Sequence, residues 1–173
     1  EEIRKVINKG GDPLYCADLL RSLGLYEHIF GSKVPQNMVS HFDLDAWNNI
    51  NSIGEFIFLL LKPITNNPAD LFKNRLKGDI ATQKEIMALN KAYMLDDNTT
   101  PLRARITAHN MYVLFPDSLK SKILPEGIKV ASNELLSGKY PKAIKELAVN
   151  GNDLMNLGFG GKEIGYNLKL LLS

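Results

Sequence analysis

The chain is poor in cysteine and contains no long apolar run. Cys16 is the one cysteine among 173 residues, which excludes an internal disulfide and is typical of a reducing compartment, so we expect a cytoplasmic protein. The longest apolar stretch, residues 53–61, is interrupted by a glycine and a glutamate. It falls short of the roughly 18 to 20 residues that a membrane span needs, so we expect no membrane partner. The opening Glu-Glu-Ile-Arg-Lys has no apolar segment behind it, and we expect no signal peptide.

Several catalytic patterns are also missing. The sequence has no GxxxxGK[ST] phosphate loop and no His-Asp dipeptide, which an HD-type hydrolase would need. Its three histidines lie far apart in the chain. We interpret His28 and His109 as hydrogen-bonding residues of a helix surface or core, and His41 as a capping residue or a local hydrogen-bond partner.

Asp43-Leu44-Asp45 has the DxD spacing with which two carboxylates hold catalytic Mg²⁺ in nucleotidyl transfer. That chemistry places both acids on one face of a strand, whereas here a helix is expected directly after them. The pattern therefore favours a helix cap with a spare acid. Cys16 and Trp47 lie among apolar residues at helical spacing and are predicted core residues. We expect no catalytic residue and no metal site in this chain.

Charge is unevenly distributed, although the formal net charge is only +2. Residues 1–61 carry five basic and eight acidic side chains, residues 62–122 carry ten and six, and residues 123–173 carry six and five. The middle third is therefore the electropositive part and could attract a polyanion. An ordinary surface of mixed charge explains the same distribution.

Apolar residues recur at helical spacing along nearly the whole chain, and strand-type alternation is almost absent. We predict an all-α protein, an irregular array of about nine to ten short helices that ends in a glycine-rich helical hairpin. Breaks at Gly and Pro, with Asp and Thr as caps, set the boundaries. The predicted helices lie around residues 3–7, over 13–23 with Asp12 as cap, 25–29, 46–61 with Asp45 as cap, 68–77, 82–93 with Thr82 as cap, 100–114, 117–123 and 128–136, followed by two tail helices.

The tail, residues 140–172, is the most informative part of the sequence. Its two short helices have a polar Asn-Gly-Asn-Asp start and a glycine-rich turn between them. Exposed amides at a helix N-terminus beside lysines form a place where a phosphate can lie. Gly158 is predicted to end the first helix in a left-handed conformation. A plain helical hairpin with solvated lysines explains the tail equally well.

Candidate phosphate contacts occur in the tail and in the electropositive middle of the chain. Lys162 stands at a helix start, where a cation opposes the helix dipole and a phosphate would compensate it. The middle cations are explained as well by a solvated helix face. The candidate phosphate-contacting residues are Lys73, Arg75, Lys77, Arg103, Arg105, Lys142, Lys145, Asn150, Gly151, Asn152, Gly160, Gly161 and Lys162.

The tail pattern YP..IK.LAVNG.DL..LG..G.EIG..L..LL resembles the C-terminal tail of bacterial-type (class II) CCA-adding tRNA nucleotidyltransferases and the related poly(A) polymerases. Upstream, residues 2–7 with Pro13 and Gly24-Leu25 resemble the end of that family's neck. Gln36, His41 and the Asp-Ala-Trp-Asn-Asn of residues 45–49 resemble the start of its body domain. The resemblance implies a neck-like segment (1–38), a body-like helical domain (39–124) and a tail-like hairpin region (125–173).

The chain departs from the family at two positions and lacks its catalytic part. The family's usual histidine is replaced by Asn49, and the Gly-Pro before its last helix is replaced by Gly161-Lys162. The catalytic head, with its glycine loop and strand-borne DxD, and the Glu-Asp-x-x-Arg nucleotide template of the neck are absent from these 173 residues. The resemblance therefore implies the C-terminal portion of such an enzyme, inactive alone.

Members of this family hold tRNA by its acceptor stem and elbow through the body and tail, reading shape and phosphates. The resemblance implies tRNA and a catalytic head domain as partners, with Mg²⁺, CTP and ATP used by the head. Two alternatives remain open: a helical protein-interaction or structural module, and a degenerate HD-type phosphohydrolase. The sequence does not distinguish CCA addition from CC, A or poly(A) addition.

Overall fold

A computed structural model describes residue 5 and residues 11–32, 44–95 and 99–172. The predicted all-α class is confirmed, and no strand occurs in these described ranges. None of the helices described is long and apolar enough to cross a bilayer. The elements in chain order are α1 (Pro13–Ser22), α2 (Leu25–Phe30), α3 (Leu44–Asn48), α4 (Ile53–Leu61), α5 (Pro68–Leu76), α6 (Ile80–Tyr93), α7 (Pro101–Leu114), a 3₁₀ turn (Pro116–Lys120), α8 (Glu126–Leu136), a second 3₁₀ turn (Ile144–Glu146), α9 (Gly151–Asn156) and α10 (Lys162–Leu171).

One helix start follows the capping residue predicted from the sequence, and another begins at the residue predicted to open it. Asp12 caps α1, where its side chain accepts a hydrogen bond from the Tyr15 amide at 3.0 Å. Thr100 caps α7 in the same way, and a proline stands in the first turn of both helices. The predicted helix around residues 3–7, together with His41 and Asp43, lies outside the described ranges apart from Lys5.

The single helix predicted over residues 46–61 is wrong, because the chain breaks between α3 and α4. The Asn49 side chain donates hydrogen bonds to the carbonyl and carboxylate oxygens of Asp45, which helps to end α3. Ser52 then caps α4 by accepting from the Glu55 amide at 3.0 Å. Asp45 lies in the first turn of α3 and also pairs with Lys122 at 3.4 Å.

The start predicted for α6 is also wrong by two residues. Asp79, not Thr82, is its cap, and the Asp79 carboxylate accepts from the Thr82 amide and hydroxyl, each at 2.8 Å. Thr82 is therefore buried inside the first turn. An aspartate at a helix start accepts a hydrogen bond from the amide three residues ahead as readily as a threonine does. The local sequence therefore allowed the helix to be capped by Asp79 or by Thr82.

The centre of the fold is α4, in which every residue from Gly54 to Leu61 is buried. It packs between α5 and α6. Trp47 is fully buried and contacts Phe56 edge-to-face with ring centroids 6.4 Å apart. Cys16 is half-buried against the same core, and burial raises the pKa of its thiol. The core roles predicted for Trp47 and Cys16 are confirmed.

The main core extends past residue 125 into α8. This helix packs against α7 and the first 3₁₀ turn, and its Ile128, Ala131 and Leu135 belong to the same buried cluster as α4. The body-like and tail-like regions proposed from the sequence thus share one core up to the end of α8. The tail hairpin, α9 with α10 and the turn between them, follows this body and buries few side chains of its own.

Candidate functional site

The N-terminus of α9 is closed by its own side chains. Asn150 Oδ1 accepts from the amides of Asn152 and Asp153 at 2.8 and 3.3 Å, and Asp153 Oδ2 accepts from the Asn150 amide at 2.8 Å. This reciprocal capping box uses the amides that the sequence suggested for a phosphate. The amides of Asn152 and Asp153 are therefore not free, and a carboxylate already occupies this end of the helix.

Substitution of Asn150 tests its capping role, and the same substitution at Asn152 is the control. Asn150→Ala is expected to lower the free energy of unfolding by about 1 kcal/mol, because the Asn152 and Asp153 amides lose their acceptor. Asn152→Ala, at an exposed position whose side chain makes no hydrogen bond to the described residues, should change it by less than about 0.5 kcal/mol. Urea unfolding followed by circular dichroism measures both, and equal losses would contradict the capping role.

The turn between α9 and α10 depends on glycine. Gly158 has φ +90° and ends α9, as predicted, with the amide of Phe159 donating to the Leu154 carbonyl at 3.1 Å. Gly161 has φ +52° at the start of α10. A Cβ atom at Gly158, Gly160 or Gly161 would meet no atom within 4 Å. The turn is thus an exposed backbone surface that another molecule can approach closely.

Two lysines of the tail present unengaged ammonium groups. Lys145 in the second 3₁₀ turn and Lys162 at the first position of α10 are exposed. Neither side chain forms a hydrogen bond or an ion pair with another residue in the described ranges. Glu163 follows Lys162 in the first turn of α10, which partly offsets its charge at the helix start.

Lys142 and Arg105 have partners inside the chain. The Arg105 guanidinium lies 4.2 Å from the Tyr140 ring centroid and donates to the Tyr140 hydroxyl. Lys142 Nζ donates to the Leu136 carbonyl at 3.1 Å, and the Lys142 carbonyl lies 3.2 Å from Nε2 of His109. These contacts hold the segment after α8 against α7, so both cations have a structural role here.

The remaining candidate cations lie on the body. Lys73 and Arg75 are exposed in the last turn of α5, and Lys77 ends that helix with φ +51°. The Arg75 guanidinium lies directly over Gly31 at the C-terminus of α2, where a cation is favourable. Arg103 is exposed in the first turn of α7.

Five of the candidate cations fall into two groups in the structure. Lys73, Arg75 and Lys77 form the first group, in or at the end of α5, which packs against α2, α4 and α6. Arg105 and Lys142 both contribute to the contact between α7 and the segment after α8, Arg105 through Tyr140 and Lys142 through His109. Tyr140, the partner of Arg105, was missed by sequence reasoning because 35 residues separate them.

A pair of carboxylates is buried between α4 and α6. Glu55 accepts hydrogen bonds from the Ser121 hydroxyl and the Asn51 amide. Glu85 accepts from the Ser118 hydroxyl at 2.6 Å and lies against Gly54, where a Cβ would collide with it. Burial raises the pKa of Glu55, the charge of Glu85 adds to the rise, and the hydrogen bonds oppose it.

This pair connects α4, α6 and the 3₁₀ turn by hydrogen bonds. No group of three or more potential metal-ligating side chains occurs among the described residues. His28 lies exposed in the last turn of α2. Asp45, the described carboxylate of the DxD, is engaged by Asn49 and Lys122.

An open cavity of about 650 Å³ lies between α7 and α10, and we call it the α7–α10 groove. Several of its wall residues are highly exposed, with Val113 at 62% and Tyr166 at 68%. In the sequence, the groove is indicated by apolar residues on two faces of α7. One face packs on the core, and the other lines the groove. The groove is lined by Ile106, His109, Asn110, Val113, Leu114, Ile144, Tyr166, Lys169, Leu170 and Leu172.

Comparisons of the chain with protein-family models, with curated proteins and with solved structures found no match.

Proposed function

We propose that this chain is the tRNA-binding C-terminal portion of a CCA-adding tRNA nucleotidyltransferase. Its role is to hold the acceptor stem and elbow of tRNA so that a catalytic head domain can extend the 3′ end. Mg²⁺, CTP and ATP belong to that head. The chain alone binds tRNA without adding nucleotides, and its location is cytoplasmic.

The architecture of the tail hairpin carries this proposal. The residues of the tail pattern that resembles the family include those that build the hairpin: the Asn150–Asp153 capping box, Gly158 in its left-handed conformation and the buried Leu154 and Leu168. The hairpin presents an open glycine turn and the exposed lysines 145 and 162. Cations beside accessible backbone are the groups that contact phosphates without reading sequence.

Binding of tRNA by the purified chain at two salt concentrations tests the proposal. Affinity should fall steeply between about 50 mM and about 200 mM salt, because each phosphate contact releases counterions. An unstructured RNA of equal length should compete poorly. The double variant Lys145→Glu and Lys162→Glu should weaken tRNA binding more than tenfold. Lys142 stays unchanged, since its ammonium group holds the Leu136 carbonyl.

Lys84→Glu with Lys91→Glu is the matched control. Both lysines are exposed on α6, outside the candidate set, and the control changes net charge equally. Its tRNA affinity should stay within about threefold of the unmodified chain. Equal weakening by both double variants would show a diffuse charge effect, and tRNA binding no tighter than the competitor RNA would contradict the proposed function.

A further inference from the structure

The turn of the tail hairpin presents an aromatic ring as well as open backbone. Phe159 lies between Gly158 and Gly160, and 39% of it is exposed. Its amide donates to the Leu154 carbonyl at 3.1 Å and the Gly158 amide donates to the Met155 carbonyl at 2.9 Å, which is a Schellman motif. In this motif the side chains at the positions of Phe159 and Leu154 commonly pack together. The end of α9 therefore fixes the backbone that carries the ring, while part of the ring faces solvent.

The glycines on either side of Phe159 leave room for a ligand. A Cβ atom at Gly158, Gly160 or Gly161 would meet open space. Within the described ranges, the Phe159 ring makes no contact with another aromatic ring or with a cation. A flat group can therefore approach the ring, since its neighbours in the turn have no side chains to displace.

A cation and a second ring follow along α10. Lys162 stands at the first position of the helix, three residues after Phe159, and its ammonium group is unengaged among the described residues. Tyr166 is 68% exposed and lies four residues further on, which places it on the same face of the helix as Lys162. Exposed aromatic and cationic side chains thus alternate at positions 159, 162 and 166.

Several amides of the hairpin are already engaged. The Asn152 and Asp153 amides donate to Asn150, and the Gly160 amide donates to the Glu163 carboxylate at 3.4 Å. Ring faces and ammonium groups remain available to a ligand at this end of the hairpin. Single-stranded nucleic acid is bound by this combination, in which aromatic rings stack on bases and cations neutralise phosphates. Because the neighbours in a duplex cover both faces of a base, such a ring selects an unpaired base.

We propose that Phe159 stacks on an unpaired nucleobase of the RNA bound at the tail, while Lys162 contacts the phosphate next to that base. This contact rests on the proposed function, because it needs an RNA at the hairpin, and it adds a base to the phosphate contacts. Every nucleobase has a face for stacking, so the contact anchors the RNA without reading its sequence.

Phe159→Leu and Tyr15→Leu form a matched pair of variants. Leucine keeps an apolar side chain beside Leu154 but lacks the aromatic face, and Tyr15 is a ring of α1, 65% exposed and outside the tail. Phe159→Leu should weaken tRNA binding about tenfold, because a stacked base is lost. Tyr15→Leu and Phe159→Tyr should each leave it within about twofold, since both keep a ring at position 159.

The salt dependence separates stacking from charge. Phe159→Leu should lower the tRNA affinity by the same factor at about 50 mM and about 200 mM salt, because it removes no phosphate contact. Lys162→Gln should reduce the slope of log affinity against log salt by about one. Urea unfolding should show that the Phe159→Leu variant is folded under the binding conditions.

Phe159→Trp reports the stacking directly. The fluorescence of a tryptophan at this position should be quenched when tRNA binds, because an indole ring stacked on a base loses much of its emission. Trp47 is fully buried, so the unmodified chain should show little quenching.

The outcomes distinguish the stacking contact from the proposed function. An unchanged tRNA affinity or a changed salt slope in Phe159→Leu, or no quenching in Phe159→Trp while tRNA binds, would overturn the stacking contact alone. If the unstructured RNA binds as tightly as tRNA and Phe159→Leu weakens both, the proposed function fails and the stacking contact stands. Absence of any RNA binding by the unmodified chain would overturn both.

Discussion

Phe58→Ala is expected to lower the free energy of unfolding by about 3 to 5 kcal/mol. Phe58 lies in α4 with 0% of its side chain exposed, and its ring packs edge-to-face on Tyr93 of α6 with centroids 5.6 Å apart. Truncation leaves a cavity between two helices that cannot close fully, and it also removes the aromatic contact. Since domains of this size are stable by only about 5 to 15 kcal/mol, urea unfolding should show a large fall in midpoint.

Phe159→Ala is the control for this substitution. Phe159 lies in the exposed turn of the tail hairpin, 39% exposed, so the same truncation should cost less than about 1.5 kcal/mol. Similar losses in both variants would mean that burial around α4 does not dominate the stability of the chain.

The second large effect is a loss of stability as the pH rises, caused by Glu55. Burial raises the pKa of Glu55, so the folded state holds its proton more tightly than the unfolded state does. The stabilising contribution of protonated Glu55 is therefore fully present below the unfolded pKa of about 4.3. It is lost as the pH rises through the higher folded pKa, at about 1.4 kcal/mol for each unit of elevation.

Glu55→Gln should flatten this dependence. Glutamine cannot ionise. Its one side-chain oxygen can still accept from the Asn51 amide, and its NH₂ group can donate to the Ser121 hydroxyl oxygen in place of the bond that this hydroxyl donates to Glu55. Unfolding free energies measured between about pH 4 and about pH 8 should fall less steeply in the variant than in the unmodified chain. Glu27→Gln, at an exposed position of α2, should leave the slope unchanged. A slope that is identical in the Glu55→Gln variant would show that another group causes it.

Much of the helical architecture could be predicted from local sequence. Prolines in first turns, glycines after last turns and the caps Asp12 and Thr100 act within a few residues, so their signals are readable before any tertiary contact is known. The missed break before α4 was readable too. Ser52-x-x-Glu55 has the spacing of a capping box, and the Glu55 carboxylate does accept from the Asn51 amide beside the cap. The long apolar run that follows outweighed this short signal.

The candidate site was less predictable because its contacts are long-range. Asparagine and lysine side chains commonly contact phosphates. In the structure, however, Asn150 caps α9, and Lys142 Nζ donates to the Leu136 carbonyl. Arg105 meets Tyr140 across 35 positions. The α7–α10 groove combines residues more than fifty positions apart. Composition and spacing indicate which residues can bind a phosphate, but only the fold determines which of them are already engaged.

The unequal burial of α4 and the tail hairpin has a consequence for how the chain opens. The residues of α4 from Gly54 to Leu61 are buried, so we expect their backbone amides to reach solvent only when the whole body comes apart. The hairpin buries Leu154 and Leu168 outside the main cluster and can detach at a much smaller free-energy cost. We therefore expect two cooperative units, a body that opens as a whole and a hairpin that can adjust to a bound partner while the body stays closed.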